Sequence, residues 1–276
     1  MFASFLLALR EGLEAALIIG IVLGVLRKVS RPDLAPAVWR GAISALLASL
    51  IAGVALTAFG LSLDGAAEQI FEGVAMLLAA GVLTWMIFWM NAQARHFREG
   101  LETDVRRAAM TAGRGALFSL ALLAVVREGI ELALFLTAAT FASGARDTII
   151  GGLLGLAAAT FLGWSVFASA MRLDVRRFFQ VTGVLLLLFA AGLVGHGVHE
   201  FNEVGWVPAV IDHLWDLTPV LAEDSVAGMI LKALLGYNAN PALTEALAYL
   251  AYAGAVLLGL RRADRNGTRA TSQAAA

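Results

Sequence analysis

No cysteine occurs in this chain, which removes disulfides, thiolate metal sites and iron–sulfur clusters together. Any metal ion it handles must be held by oxygen or imidazole. Lysine is nearly as scarce. Lys28 and Lys232 are the only two, and neither lies in the last apolar stretch, where a retinal protein would need its Schiff-base lysine. Charged residues make up 15% of the chain, and the formal net charge of −1 carries little information because the basic residues are segregated rather than spread.

What fills the chain is hydrocarbon. Of 276 residues 60% are hydrophobic, against roughly 45–50% in soluble domains, and the mean hydropathy is +0.81. This predicts an all-α integral membrane protein. The segment from Met1 to Leu26 lacks a positive start and carries Arg10, Glu11 and Glu14 inside its apolar run, so it reads as a retained helix rather than a cleavable signal.

Those three residues belong to a phrase that occurs twice. Arg10-Glu11-Gly12-Leu13-Glu14 lies mid-way along one apolar stretch, and Arg127-Glu128-Gly129-Ile130-Glu131 lies mid-way along another, 117 positions later. At 100° per helical residue the Arg and both Glu of each phrase project within one arc, while the glycine faces the opposite side. A charge at a helix centre costs ~2.5–3.5 kcal/mol on insertion scales, so six of them oppose insertion by about 15–20 kcal/mol if simply summed. Arg–Glu pairing recovers part of this, but one Glu per Arg would suffice for pairing. Four carboxylates against two guanidiniums leave two surplus negative charges at membrane depth, which a bound cation would neutralise.

Seven stretches are long enough to cross a hydrocarbon core of ~30 Å. They lie near residues 2–26, 41–63, 69–90, 116–142, 148–171, 178–199 and 243–260. Arg27, Lys28, Arg31 and Arg40 follow the first stretch, and Arg95, Arg98, Arg106, Arg107 and Arg114 follow the third. Arg172, Arg176 and Arg177 follow the fifth, and Arg261, Arg262, Arg265 and Arg269 follow the seventh. The positive-inside rule then puts the N-terminus outside and the C-terminus inside. The two phrases cross the membrane in opposite directions, so helices 1–3 and 4–6 read as an inverted repeat with a seventh helix added. The expected organisation is a first three-helix repeat over 1–90, a cytoplasmic helical linker over 91–115 and a second repeat over 116–200. A long outer loop over 201–242, a seventh helix over 243–262 and a disordered cytoplasmic tail over 263–276 complete it. Within the outer loop, the apolar run from Val226 to Gly236 is too short to span.

The outer ends collect acids: Asp64, Glu68, Glu72, Asp147, Glu200, Glu203, Asp212, Asp216, Glu223, Asp224 and Glu245. Such a mouth concentrates cations, although for any single one of these acids plain solvated surface is the better reading. Glu68 and Glu72, one turn apart, either share a cation or cap a helix start. His196, His199, Glu200 and Glu203 form one stripe if their helix continues that far, and imidazole with carboxylate suits iron, manganese or zinc. Met76, Met86, Met90, Trp85 and Trp89 crowd the third stretch, where packing and an aromatic belt account for them better than soft-metal binding does.

Paired Arg-Glu-Gly-x-Glu phrases in the first and fourth helices resemble the oxidase-dependent iron permease family, over about residues 1–262. The resemblance implies an iron permease of the cytoplasmic membrane that imports Fe²⁺ or Fe³⁺, with Glu11, Glu14, Glu128 and Glu131 as iron ligands supported by Arg10 and Arg127. Iron is then cargo, and no cofactor is permanently bound. It further implies a periplasmic or extracellular iron-handling or ferroxidase partner, contact with membrane lipids, no nucleic acid, and room for an oligomer. On this reading Glu68, Glu72, His196, His199, Glu200 and Glu203 line an outer pathway. The alternatives are a transporter of another divalent cation such as Mn²⁺, and a membrane metalloenzyme; the Glu-x-x-His pairs of a di-iron enzyme do not occur in the sequence.

Overall fold

The computed structural model describes residues 1–93, 97–167, 174–222 and 225–274; Arg95, Arg172, Glu223 and Asp224 lie outside them. The described residues are helical throughout their regular parts. The helices are α1 (Phe2–Lys28), α2 (Ala35–Leu61), α3 (Ala66–Gln93), α4 (Phe97–Arg107), α5 (Gly113–Ser143), α6 (Ala145–Phe167), α7 (Val175–Glu203), α8 (Val226–Leu235) and α9 (Leu243–Ala274).

Among the described residues, five segments are long and apolar enough to cross a membrane: Pro32–Leu61, Ala66–Met90, Ala145–Phe167, Arg177–Glu203 and Leu243–Arg261. α1 and α5 are as long, at 27 and 31 residues, but each carries a charged phrase. Along α2, Ile43, Leu46, Leu47, Leu50, Ile51 and Val54 are all exposed. A row of this kind suits lipid and would be a liability in water.

Local chemistry explains the boundaries. α2 begins six residues ahead of the apolar stretch at 41 because Pro36 stands in its first turn, where a missing N–H costs nothing. Between α4 and α5 the chain passes through one π-helical turn, Ala108–Ala112, and Gly113 takes a positive φ of 71°. α8 starts on the Ser225 hydroxyl, which accepts from the Gly228 N–H at 3.0 Å, and stops at left-handed Gly236. Its 10 residues reach about 15 Å, half of a hydrocarbon core. α9 continues to Ala274 through the segment expected to be disordered; extending an existing helix adds one hydrogen bond per residue and needs no new nucleus.

The chain divides into two compact units. The first comprises Met1–Glu68 and Trp89–Val184, and within it α1 lies along α6 while α5 lies along α2. Four places of contact in one pair recur in the other. A Cβ on Gly151 would meet the Met1 carbonyl, and one on Gly41 the Phe118 carbonyl. Gly163 abuts Ala16 and Gly53 abuts Ala133. Gly12 abuts Ala159 and Gly129 abuts Ser49. Finally Gly20 lies under the Phe167 ring, and at the matching place the Thr57 and Thr137 hydroxyls are 2.9 Å apart. Each step is 117 residues on the charged helix and 110 on its partner. The glycines let backbones approach closely, the usual packing in helices that share an apolar solvent. Ile18, Val22, Leu26, Val38, Val105, Leu117 and Ala121 fill the core of this unit.

The second unit comprises Gln69–Phe88 and Leu185–Ala276. In it Gly73 of α3 packs on Gly197 of α7, and Gly192 of α7 on Gly236 after α8. Thr84 of α3 shares a 2.6 Å hydrogen bond with the Tyr252 hydroxyl of α9.

Candidate metal centre

Both charged phrases stay helical, and their glycines point toward the partner helices α6 and α2. That orientation turns the ionisable side chains inward within the first unit. Arg10 and Glu11 are each 1% exposed and Glu128 is 5% exposed. Arg10 Nε donates to Glu14 Oε1 at 3.1 Å, and Arg127 Nε donates to Glu131 Oε1 at 3.0 Å, both between residues one turn apart. Each phrase therefore satisfies one of its two glutamates internally.

The other glutamate of each phrase, Glu11 and Glu128, joins the second oxygen of Glu131. One carboxylate oxygen from each of Glu11, Glu128 and Glu131 lies within 4.8 Å of the others. Cations bound through oxygen at about 2.0–2.6 Å hold ligand oxygens no more than about 5 Å apart, so this trio can close on one ion. Among the described residues, both oxygens of Glu11, Oε2 of Glu128 and Oε2 of Glu131 are buried without a hydrogen-bond partner. Buried polar atoms in folded proteins are nearly always partnered, and an unpartnered ionised carboxylate is among the most expensive groups to bury. Three acids arranged in this way could hold one cation. The trio draws on both phrases, while Glu14 is engaged with Arg10 and is not part of it.

The arginines are held from behind as well. Arg10 Nη2 donates to Met90 Sδ at 3.0 Å and its guanidinium lies 6.0 Å from the Phe179 ring centroid. The Arg127 guanidinium sits 4.9 Å above the Trp89 ring. Sequence reasoning assigned Trp89 and Met90 to packing. Their adjacency at the end of the third apolar stretch is visible in the sequence, but nothing in it shows that the two side chains meet two different arginines.

The outer candidates are organised differently. Glu68 and Glu72 are partly buried one turn apart at the start of α3. α7 continues through Glu203, so His196, His199, Glu200 and Glu203 do share one helix. His196 Nδ1 donates to the Gly192 carbonyl at 3.0 Å. His199 stands between two acids, with Nε2 3.4 Å from Glu203 and Nδ1 3.6 Å from Glu245. Glu203 also accepts from Gln69. Glu245, buried on α9, accepts from Asn238 at 2.9 and 3.0 Å. In the sequence Glu245 is one acid of an acidic mouth, and only the packing of α9 reveals it as a buried partner of His199. Among the described residues these side chains do not form a set of three metal-ligand atoms as compact as the glutamate trio.

The comparisons with known proteins bear on this arrangement. Residues 1–261 match the model of the "Iron permease FTR1 family". The chain is 33% identical over 255 residues to a "Ferrous iron permease EfeU" of Yersinia pestis, covering 91% of this chain and 90% of that protein. It is 31% identical over 276 residues to proteins of the same name from Escherichia coli O157:H7 and Shigella sonnei, covering 99% of this chain and 100% of each. No solved structure matches it. A family match running from the first residue to the end of the last apolar stretch, with both charged phrases inside it, is decisive: the chain belongs to the iron permease FTR1 family.

Proposed function

We propose that this transporter imports iron ions across a bacterial cytoplasmic membrane, taking them from the outer side into the Glu11, Glu128 and Glu131 trio. The observation that carries this reading is the set of buried carboxylate oxygens in that trio with no partner of their own. A structural ion-pair cluster would spend its acids on its arginines; here Glu14 and Glu131 do so, and Glu11 does not. The family is one of permeases, so the chain is a transporter and not an enzyme. The names of its relatives favour Fe²⁺ as the form carried, and hard oxygen ligands accept Fe²⁺ readily.

On this reading α1, α2, α3, α5, α6, α7 and α9 all cross the membrane, with the N-terminus outside and the C-terminus inside. α1–α3 and α5–α7 then form an inverted repeat. The recurrence of the α1–α6 contacts in the α5–α2 pair supports it, since a twofold repeat exchanges partners in this way. Arg10 and Arg127 limit the excess charge, so that the ion binds and also leaves. Glu14 completes the ligand set when the ion draws it from Arg10. Glu68, Glu72, His196, His199, Glu200 and Glu203 lie on the outer route, and a separate periplasmic iron-handling protein supplies the ion.

The test is uptake of radiolabelled Fe²⁺ and Fe³⁺, separately, into proteoliposomes holding wild type or Glu128→Gln. The neutral variant should lose uptake by at least about tenfold, the equivalent of ~1.4 kcal/mol. Uptake at the wild-type rate from equal inserted protein would overturn the site. Excess Mn²⁺ suppressing uptake more strongly than excess unlabelled Fe²⁺ would favour manganese as cargo.

A further inference from the structure

The two phrases hold a contradiction that their own residues do not resolve. Glu11 has two buried oxygens without a donor, and the adjacent Arg10 has a buried Nη1 without an acceptor. An Arg–carboxylate bond is charge-assisted and often bidentate, so the relaxed arrangement would fold the guanidinium onto Glu11 and fill the site with the protein's own cation. Arg10 instead directs Nη2 to a thioether, a weak acceptor. Arg127, with 38% of its side chain exposed, spreads its guanidinium over an indole face.

We propose that Trp89 and Met90, consecutive residues at the end of α3, are positioning residues that hold the two guanidiniums away from Glu11 and Glu128 and so keep the carboxylate trio open for a cation. Met90 takes Nη2 of Arg10, and Phe179 covers the same guanidinium from α7. Trp89 takes Arg127 through its ring face. Each arginine keeps its Nε bond to the glutamate one turn away. The two grips together fix both guanidiniums on the Glu14 and Glu131 side of their helices. Loss of either grip releases an internal competitor for Glu11 or Glu128. Competition of that kind weakens apparent affinity for the cargo and leaves the rate at saturation intact.

This inference rests on the trio being the transport site, and the experiment separates the two. Fe²⁺ uptake kinetics are measured in proteoliposomes for wild type, Met90→Leu, Met90→Gln, Trp89→Leu, Trp89→Phe and Glu128→Gln, normalised to inserted protein. Met90→Leu keeps the volume and removes the acceptor. It should raise the half-saturating Fe²⁺ concentration by about tenfold, the scale of one charge-assisted hydrogen bond, with the maximal rate within about twofold. Trp89→Leu should do the same. Met90→Gln, which restores an acceptor, and Trp89→Phe, which restores an aromatic face, should each recover most of the loss. If a leucine variant does not insert, its conservative partner set against wild type gives the same reading, because retained affinity is expected only where the grip is retained.

A mere packing role lowers yield or maximal rate and leaves half-saturation where it was; that result, with Glu128→Gln inactive, overturns the positioning role alone. Wild-type uptake by Glu128→Gln overturns the trio as the site, and the positioning role with it. Leucine variants that raise half-saturation without recovery by glutamine or phenylalanine also overturn it.

Discussion

Ser49 of α2 lies directly against Gly129 of α5, so close that a methyl group on the glycine would overlap the serine side chain. Ala159 of α6 crowds Gly12 of α1 at the equivalent place. The glycine of each phrase is therefore fixed by a neighbouring helix and not by the ion. Gly129→Ala should destabilise the protein by about 1–3 kcal/mol, the usual cost of overpacking a close-fitted contact. Adding Ser49→Gly should return most of that loss. Thermal unfolding of the single and double variants in detergent checks the coupling.

The unpartnered oxygens of Glu11 lead to an opposite pairing of effects. Glu11→Gln removes a buried charge that the folded protein must carry at a cost. It should abolish iron uptake and raise the thermal midpoint in the absence of iron. A variant that is both inactive and less stable than wild type would contradict the assignment of Glu11 to cation binding, since sites built for function are commonly paid for in stability.

Asn238 is predicted to matter for folding more than for transport chemistry. Its amide donates to both oxygens of buried Glu245, so Asn238→Ala removes two hydrogen bonds from that carboxylate at once. The expected loss is about 1–3 kcal/mol. Asn238→Asp should be worse, because it sets two carboxylates together. Chemical unfolding monitored by tryptophan fluorescence is the measurement.

On the loop between α1 and α2, Arg31 bonds Asp33 at 3.0 Å and also donates to the Ala109 carbonyl of the π-turn at 3.2 Å. The Arg31 guanidinium beside it holds the Asp33 carboxyl below the usual aspartate range. A depressed carboxyl contributes its stabilisation above the unfolded value of ~3.9 and loses it as pH falls through the lower folded value. Amide exchange at Ala108–Ala112 should therefore be insensitive to pairing state from neutral pH down to about pH 4 once intrinsic rates are corrected. Arg31→Ala should accelerate it at neutral pH.

Much of this architecture is readable from the residues alone. The charged phrases betray themselves because hydrocarbon does not tolerate three ionisable groups without a reason, and the apolar run from Val226 to Gly236 betrays an element too short to span. The spacing of His196 to Glu203 fits one helical stripe provided the helix runs that far, and α7 does. Other features depend on distances between helices that no local pattern encodes. Ser49 and Ala159 are ordinary small residues until α5 and α1 are laid upon them, and Trp89 looks like any interfacial tryptophan until Arg127 rests on its ring. Glu14 shows the limit most plainly. The sequence makes it the equal of Glu131, and both bond the arginine of their own phrase, yet it is Glu131 that closes with Glu11 and Glu128.

The pairing of α1 with α6 also has a bearing on how the molecule is made. α1 ends at Lys28 and α6 at Phe167, so the helix with Arg10, Glu11 and Glu14 leaves the ribosome well before the surface that will cover its glycine. At roughly 5–20 residues per second this delay is about seven to thirty seconds. Throughout it, a segment that lipid disfavours needs shelter from the insertion machinery or from the growing chain. A photocrosslinker placed at Leu13 should mark that temporary host in stalled nascent chains, and the adduct should vanish once α6 has emerged.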